Sequence, residues 1–202
     1  MFKYFGGIRN FDLTGALDID IQENGHIKSD RTICAEKRGN VLYIKNKPDS
    51  YFNSDSDSYH VDEDNEKREE EVSEKETKYY LDETCNIEKI TQSDRTTLNV
   101  SSKWLNSSLN VNITGDSKYK LPRGSFSRLN LTASGNSGIY GNASASTVVA
   151  NACGASLING IHAINSAKVN GSGVSTVKIT CSCHASIHKI CGFVSTVKVS
   201  IV

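Results

Sequence analysis

Cys181, Ser182, Cys183, His184, His188 and Cys191 place three thiols and two imidazoles in one short stretch near the C-terminus. Thiolate and imidazole are the donors that hold zinc tetrahedrally, and His162 stands one repeat ahead of Cys181. The spacing C-x-C-H-x3-H-x2-C is not that of a standard finger. On a strand, Cys181 and Cys183 share a face from which His184 points away. Small packed side chains are the simpler account. Cys153 and Cys191 then take the small-residue position that Thr114, Ser134 and Ser172 take in neighbouring repeats. The reading is therefore packing, with no catalytic residue, no cofactor and no metal. Cys181, Cys183, His184, His188 and Cys191 are the ligands to test if a metal is found.

Carboxylate chemistry is poorly supplied. Glycoside hydrolysis needs two positioned acids and calcium needs several oxygen ligands, yet residues 101–202 contain a single acid, Asp116. The sequence has no G-x-S-x-G, no P-loop and no HExxH. Lys168, Lys178, Lys189 and Lys198 recur at a nearly regular interval and suggest a basic face. Only Arg123 and Arg128 join them as arginines, with no interleaved aromatic array, so solvated lysines are the expectation and nucleic acid is a poor fit.

What must position these residues is a repeat. Gly115, Gly135, Gly154, Gly173 and Gly192 recur at a near-constant interval, the mark of a solenoid. Before the first four, apolar or small residues alternate with polar ones: Leu109/Val111/Ile113, Leu129/Leu131/Ala133, Val148/Ala150/Ala152 and Ala167/Val169/Gly171. Each set predicts a strand with one face inward. Ser117, Ser137, Ser156 and Ser175 predict one corner column, and each glycine predicts a turn. One coil is roughly 60 Å of extended chain, enough for two or three short strands around a thin core. The VSTVK of 174–178 returns at 194–198, one position later than the preceding period, which predicts a one-residue bulge in the last coil. The final strand carries no polar cap, so the N-terminal strands or a second copy should cover it.

Residues 1–52 read as strands. Leu17, Ile19 and Ile21 alternate with polar residues, Asn24-Gly25 is a hairpin dipeptide, and Val41–Ile44 is a second run. Residues 53–80 form an acidic, low-complexity insertion with too few apolar groups to order itself; 81–202 are the solenoid repeats. Charge divides along the chain: residues 1–100 hold 14 Lys/Arg against 22 Asp/Glu, and 101–202 hold nine against one. The start lacks a secretory apolar run, and no stretch approaches the about 20 apolar residues of a span. Read as it stands, the chain is expected in the cytoplasm with its six cysteines as free thiols. Six N-x-S/T sequons, at Asn99, Asn106, Asn112, Asn130, Asn142 and Asn170, are expected by chance in so Asn- and Ser-rich a chain.

FDLTGALDIDIQENG (Phe11 to Gly25), then GNVLYIK (Gly39 to Lys45), then glycine-centred windows resemble the auto-transporter adhesin head GIN domain family. The resemblance covers most of the chain outside residues ~50–95. It implies a parallel β-solenoid, no catalytic residues and, as the family label suggests, adhesion by exported proteins. The fold class expected is all-β: a parallel β-helix with ~19-residue coils, preceded by N-terminal strands. The function expected is a non-enzymatic, adhesin-like structural or binding module acting through outer solenoid faces on protein or carbohydrate surfaces. The alternative is a polyanion- or nucleic-acid-binding module regulated by the acidic segment. Homo-oligomers through the solenoid ends are a further expectation.

Overall fold

A computed structural model describes residues 1–47, 77–192 and 194–202. The acidic insertion read at 53–80 falls almost wholly outside them. The described chain is all-β apart from one 3-10 turn, Ser102–Trp104. Six short strands come first: β1 Phe2–Phe5, β2 Asn10–Thr14, β3 Asp18–Ile21, β4 His26–Ser29, β5 Ile33–Arg38 and β6 Val41–Asn46. Then follow β7 Lys78–Leu81, β8 Ile87–Gln92, β9 Thr97–Val100 and β10 Leu105–Ile113. Three long, bent strands form the middle: β11 Lys118–Ala133, β12 Gly138–Ala152 and β13 Leu157–Gly171. The last coil is β14 Thr176–Cys181, β15 Ser186–Cys191 and β16 Thr196–Ile201.

The coils stack in parallel into a β-solenoid of about six turns. One face runs β1-β7-β4-β3-β9, then the first halves of β11, β12 and β13, then β14 and β16. Another runs β5-β6-β2-β8-β10, the second halves of the long strands, then β15. Alternation along each strand selects the core. Leu109, Leu129, Val148 and Ala167 align inward, as do Val111, Leu131, Ala150 and Val169. Small residues suit these columns because the interior narrows between facing sheets. Tyr119 is fully buried in the column Leu98–Tyr119–Ile139–Ile158.

The corners also stack. Gly115, Gly135, Gly154 and Gly173 all have φ between 68° and 75°, the left-handed region that glycine enters without penalty. A Cβ at Gly154 would sit 2.9 Å from the Gly135 carbonyl oxygen, so the rungs are crowded as well as twisted. The buried corner serines find partners, as buried hydroxyls must. Ser117 Oγ donates to the Thr114 carbonyl at 2.7 Å, Ser137 Oγ to that of Ser134 at 2.8 Å, and Ser156 Oγ to that of Ala133 at 3.0 Å.

Three expectations about the repeat need correction. The ladder has an earlier rung: Asp94 (φ 63°) sits beside Gly115, with Thr96 ahead of Ser117 in the corner column. Gly192 is not a left-handed corner; Val194 takes that conformation (φ 65°). Cys191 therefore aligns with Gly171, not with Ser172. The longer last coil has no bulge in its strands. Ala163 pairs with Cys181, but Ser166 pairs with Ser186, so the extra residues sit in a turn, Ser182–Ala185, closed by Ala185 N–H donating to the Ser182 carbonyl.

The N-terminal strands join the same sheet system and cover the opposite end of the core from the one expected. β2 pairs with β6 and β8, β3 with β4 and β9, and β1 with β7. At the C-terminal end β15 pairs only with β13, and β16 only with β14, among the described residues. There the inward column Val111–Leu131–Ala150–Val169 ends in Lys189. An inward-pointing charge blunts an open edge, because continuing the stack would bury it.

Candidate functional site

The Cys/His cluster is dispersed by the turn that the extra residues make. Cys181 lies in the core beside Ala163, and burial pushes its thiol pKa up. Cys183 and His184 are exposed at the turn. His188 faces outward on β15, next to Lys168 of the preceding coil. Cys191 Sγ lies 3.2 Å from the Ser195 carbonyl oxygen and 3.3 Å from its Oγ. His162 is held between two hydroxyls, Nδ1 at 3.1 Å from Thr180 Oγ1 and Nε2 at 3.1 Å from Ser182 Oγ. Among the described residues no three His, Cys, Asp or Glu side chains gather where they could hold a metal. All six cysteines are free thiols. Cys85 is buried, its Sγ donates to the Phe5 carbonyl at 3.2 Å, and desolvation raises its pKa.

The outer faces carry the more organised chemistry. On the β10–β13 face, residues of one strand fall directly over those of the next, about 4.8 Å apart. One outward column reads Asn10, Lys89, Asn110, Asn130, Val149, Lys168, His188. Beside it run Asp12, Thr91, Asn112, Thr132, Asn151, Asn170 and Ile190. Amide side chains bond along the stack: Asn130 Nδ2 donates to Asn110 Oδ1, and Asn170 Nδ2 to Asn151 Oδ1, each at 2.6 Å. Such ladders hold the side chains upright and leave a flat, hydroxyl- and amide-rich strip. Asp116, the single acid of the repeat half, is exposed at a corner and accepts from Asn136 Nδ2 at 3.0 Å.

A second feature is an aromatic row that sequence reasoning missed. Tyr4, Tyr80 and His26 lie side by side across β1, β7 and β4. Their ring centroids are 5.2 Å and 4.8 Å apart with nearly parallel planes, and Phe2 leans against Tyr80 at 6.1 Å. Phe2 and Tyr4 remain 63% and 68% exposed. The alternation of Phe2 and Tyr4 is a signal in the sequence; that Tyr80 lies between Tyr4 and His26 follows only from the fold.

Charge is redistributed by the same view. Residues 48–76 hold 12 Asp/Glu and three Lys/Arg, a net of −9; subtracting them from the chain totals of 23 and 23 leaves 20 Lys/Arg and 11 Asp/Glu, a net of +9. The acidity of the N-terminal half thus belongs to one segment, not to the strands around it.

Together these features define a parallel β-solenoid that presents flat polar faces. It superposes on the crystal structure of a "putative adhesin" from Bacteroides fragilis NCTC 9343, with a TM-score of 0.53 at 14% identity, covering 100% of this chain and 91% of that one. At that identity the likeness is one of fold. No family model matches the chain, and no curated protein matches it.

Proposed function

We propose that the chain is a non-enzymatic binding module that engages extended polar surfaces, carbohydrate polymers foremost, through the outer faces of its coils. The carrying observation is the side-chain columns at strand spacing, with amides cross-bonded into ladders. A repeating polymer laid on such a face meets the same groups at every coil, so weak contacts add. Little ordering cost falls on side chains already held by their neighbours. The adhesin name of the structural neighbour and the resemblance to head GIN domains support the reading by analogy. Within it, the strands between Phe2 and Asn46 cap the stack and the coils from residue 81 onward are the repeats that bind, while of the acidic insertion read at 53–80 the described end already belongs to β7, Lys78–Leu81. The thiols and histidines of the last coil are packing and surface residues; stoichiometric zinc in purified protein would refute that.

Retention on a panel of insoluble polysaccharides tests the reading. Replacing Asn130 and Asn170 by leucine is expected to lower retention by about tenfold, with the far-UV spectrum unchanged. Absence of retention on every polymer tested would sink it. One observation favours a second reading: the +9 charge outside residues 48–76 suits a polyanion. In that case deleting residues 53–78 should raise heparin or nucleic-acid affinity at low salt, and an unaltered affinity rejects it.

A further inference from the structure

A cavity of about 930 Å³ opens where β4 turns into β5, beside the start of β7. Among the described residues Lys28, Arg31 and Lys78 bring cations to it, and Lys47, also in its wall, has a partner of its own. Among the described residues its one carboxylate, Asp30, is already engaged, accepting from Asp18 N–H at 2.9 Å and standing 3.7 Å from Arg31 Nε. The described lining therefore carries more cations than carboxylates in a concave site, where fields focus on an anion. Cations alone would suit any phosphate. Beside them Ser29, Thr32 and Thr77 add hydroxyls, which suit a sugar as well as a phosphate, while Ile33 and Tyr79 add apolar surface. Tyr79 Oη donates to the Ile33 carbonyl at 3.3 Å, tying that wall together.

The cavity also meets the aromatic row. His26 belongs to both, and from it the rings of Tyr80, Tyr4 and Phe2 lead to the open edge of β1. Aromatic surface beside hydroxyls and cations is the chemistry that recognises a sugar ring bearing an acid group. C–H faces pack on rings, hydroxyls exchange hydrogen bonds, and the anion takes the lysines. A nucleic-acid base would compete for the same ring faces, and an oligonucleotide tests for it directly.

We infer that this corner is a subsite for an acidic oligosaccharide, with a carboxylate or sulfate group in the cavity and adjoining sugar rings against the outer rings of the row, Phe2 and Tyr4. It deepens the carbohydrate reading above and rests on it, while using a different part of the molecule from the amide ladders.

Calorimetry on the full chain tests it with a galacturonate hexamer, a heparin-derived hexasaccharide, a fully methyl-esterified galacturonate hexamer and an oligothymidylate of matched charge. One of the two acidic sugars is expected to bind at least about tenfold more tightly than the neutral hexamer and the oligothymidylate. Lys28→Gln and Arg31→Gln should each weaken it about fivefold or more, and Tyr4→Ala about threefold or more. All three side chains are exposed, and circular dichroism verifies that the variants fold. The subsite is refuted if neither acidic sugar binds, if oligothymidylate binds as tightly, or if the cation variants change nothing. Asn130→Leu separates the two readings: it should lower polymer retention and leave hexamer binding intact. Retention without hexamer binding refutes the subsite alone, whereas loss of both removes both.

Discussion

Val194 holds a β-branched side chain at a φ of 65°, a conformation that costs an L-residue roughly 1–2 kcal/mol. The corner permits it because the preceding and following strands are locked in register with the coil below. Val194→Gly should accordingly raise unfolding stability by about 1 kcal/mol, part of the relief being returned as chain entropy; urea titration reads it. Tyr119 offers the complementary case. Its hydroxyl is buried with no hydrogen-bond partner among the described residues, and desolvation drives its pKa far up. Tyr119→Phe removes an unsatisfied polar group without opening a cavity, so stability is expected to rise by about 1 kcal/mol, seen as a higher melting temperature.

At the level of elements, the long strands bend where backbone meets backbone. Gly160, at φ 81°, lies against Gly141 so closely that a Cβ would collide with its carbonyl oxygen. Gly160→Ala is expected to cost about 3 kcal/mol or more, since neither strand can move without shifting its neighbours; the urea midpoint falls accordingly. Much of this architecture is legible in the sequence, for definite reasons. Glycine at four corners and alternating apolar residues such as Leu129/Leu131/Ala133 report their conformations directly. Asp94 gives no such signal, because its carboxylate steadies the corner by other means, Oδ2 accepting Gly15 N–H at 3.0 Å. A repeat period measures the length of a coil without saying where an extra residue goes, so it predicts a bulge where the structure has the Ser182–Ala185 turn. The aromatic row is illegible for a stronger reason. Tyr4 and Tyr80 are joined by a pairing between strands remote in sequence, which no local pattern encodes.

For the molecule as a whole, the two ends of the stack are treated differently. At the N-terminal end antiparallel strands enter the stack, β5 on β6 and β4 between β3 and β7, and among the described residues the sheet order ends at β1 and β5. The C-terminal end is left with Lys189 in the inward column. Lys189→Val should convert that end into an adhesive edge, seen as concentration-dependent association in sedimentation velocity; unchanged monomer behaviour would show that another feature guards it. The parallel register carries one more consequence, for how the chain reaches this state. From β10 onward each coil pairs with the coil just before it, so each can zip onto the last with little loop to close. The pairings of β1 with β7 and β2 with β8 instead join the two sides of the 48–76 segment and must wait for a distant partner. Amide hydrogen exchange should therefore be fastest at that seam and slowest in β11–β13. Because closure entropy grows only logarithmically, doubling the length of chain between two pairing strands adds only about 0.6 kcal/mol. The seam is thus a place where added chain would leave the register of the coils beyond it unchanged.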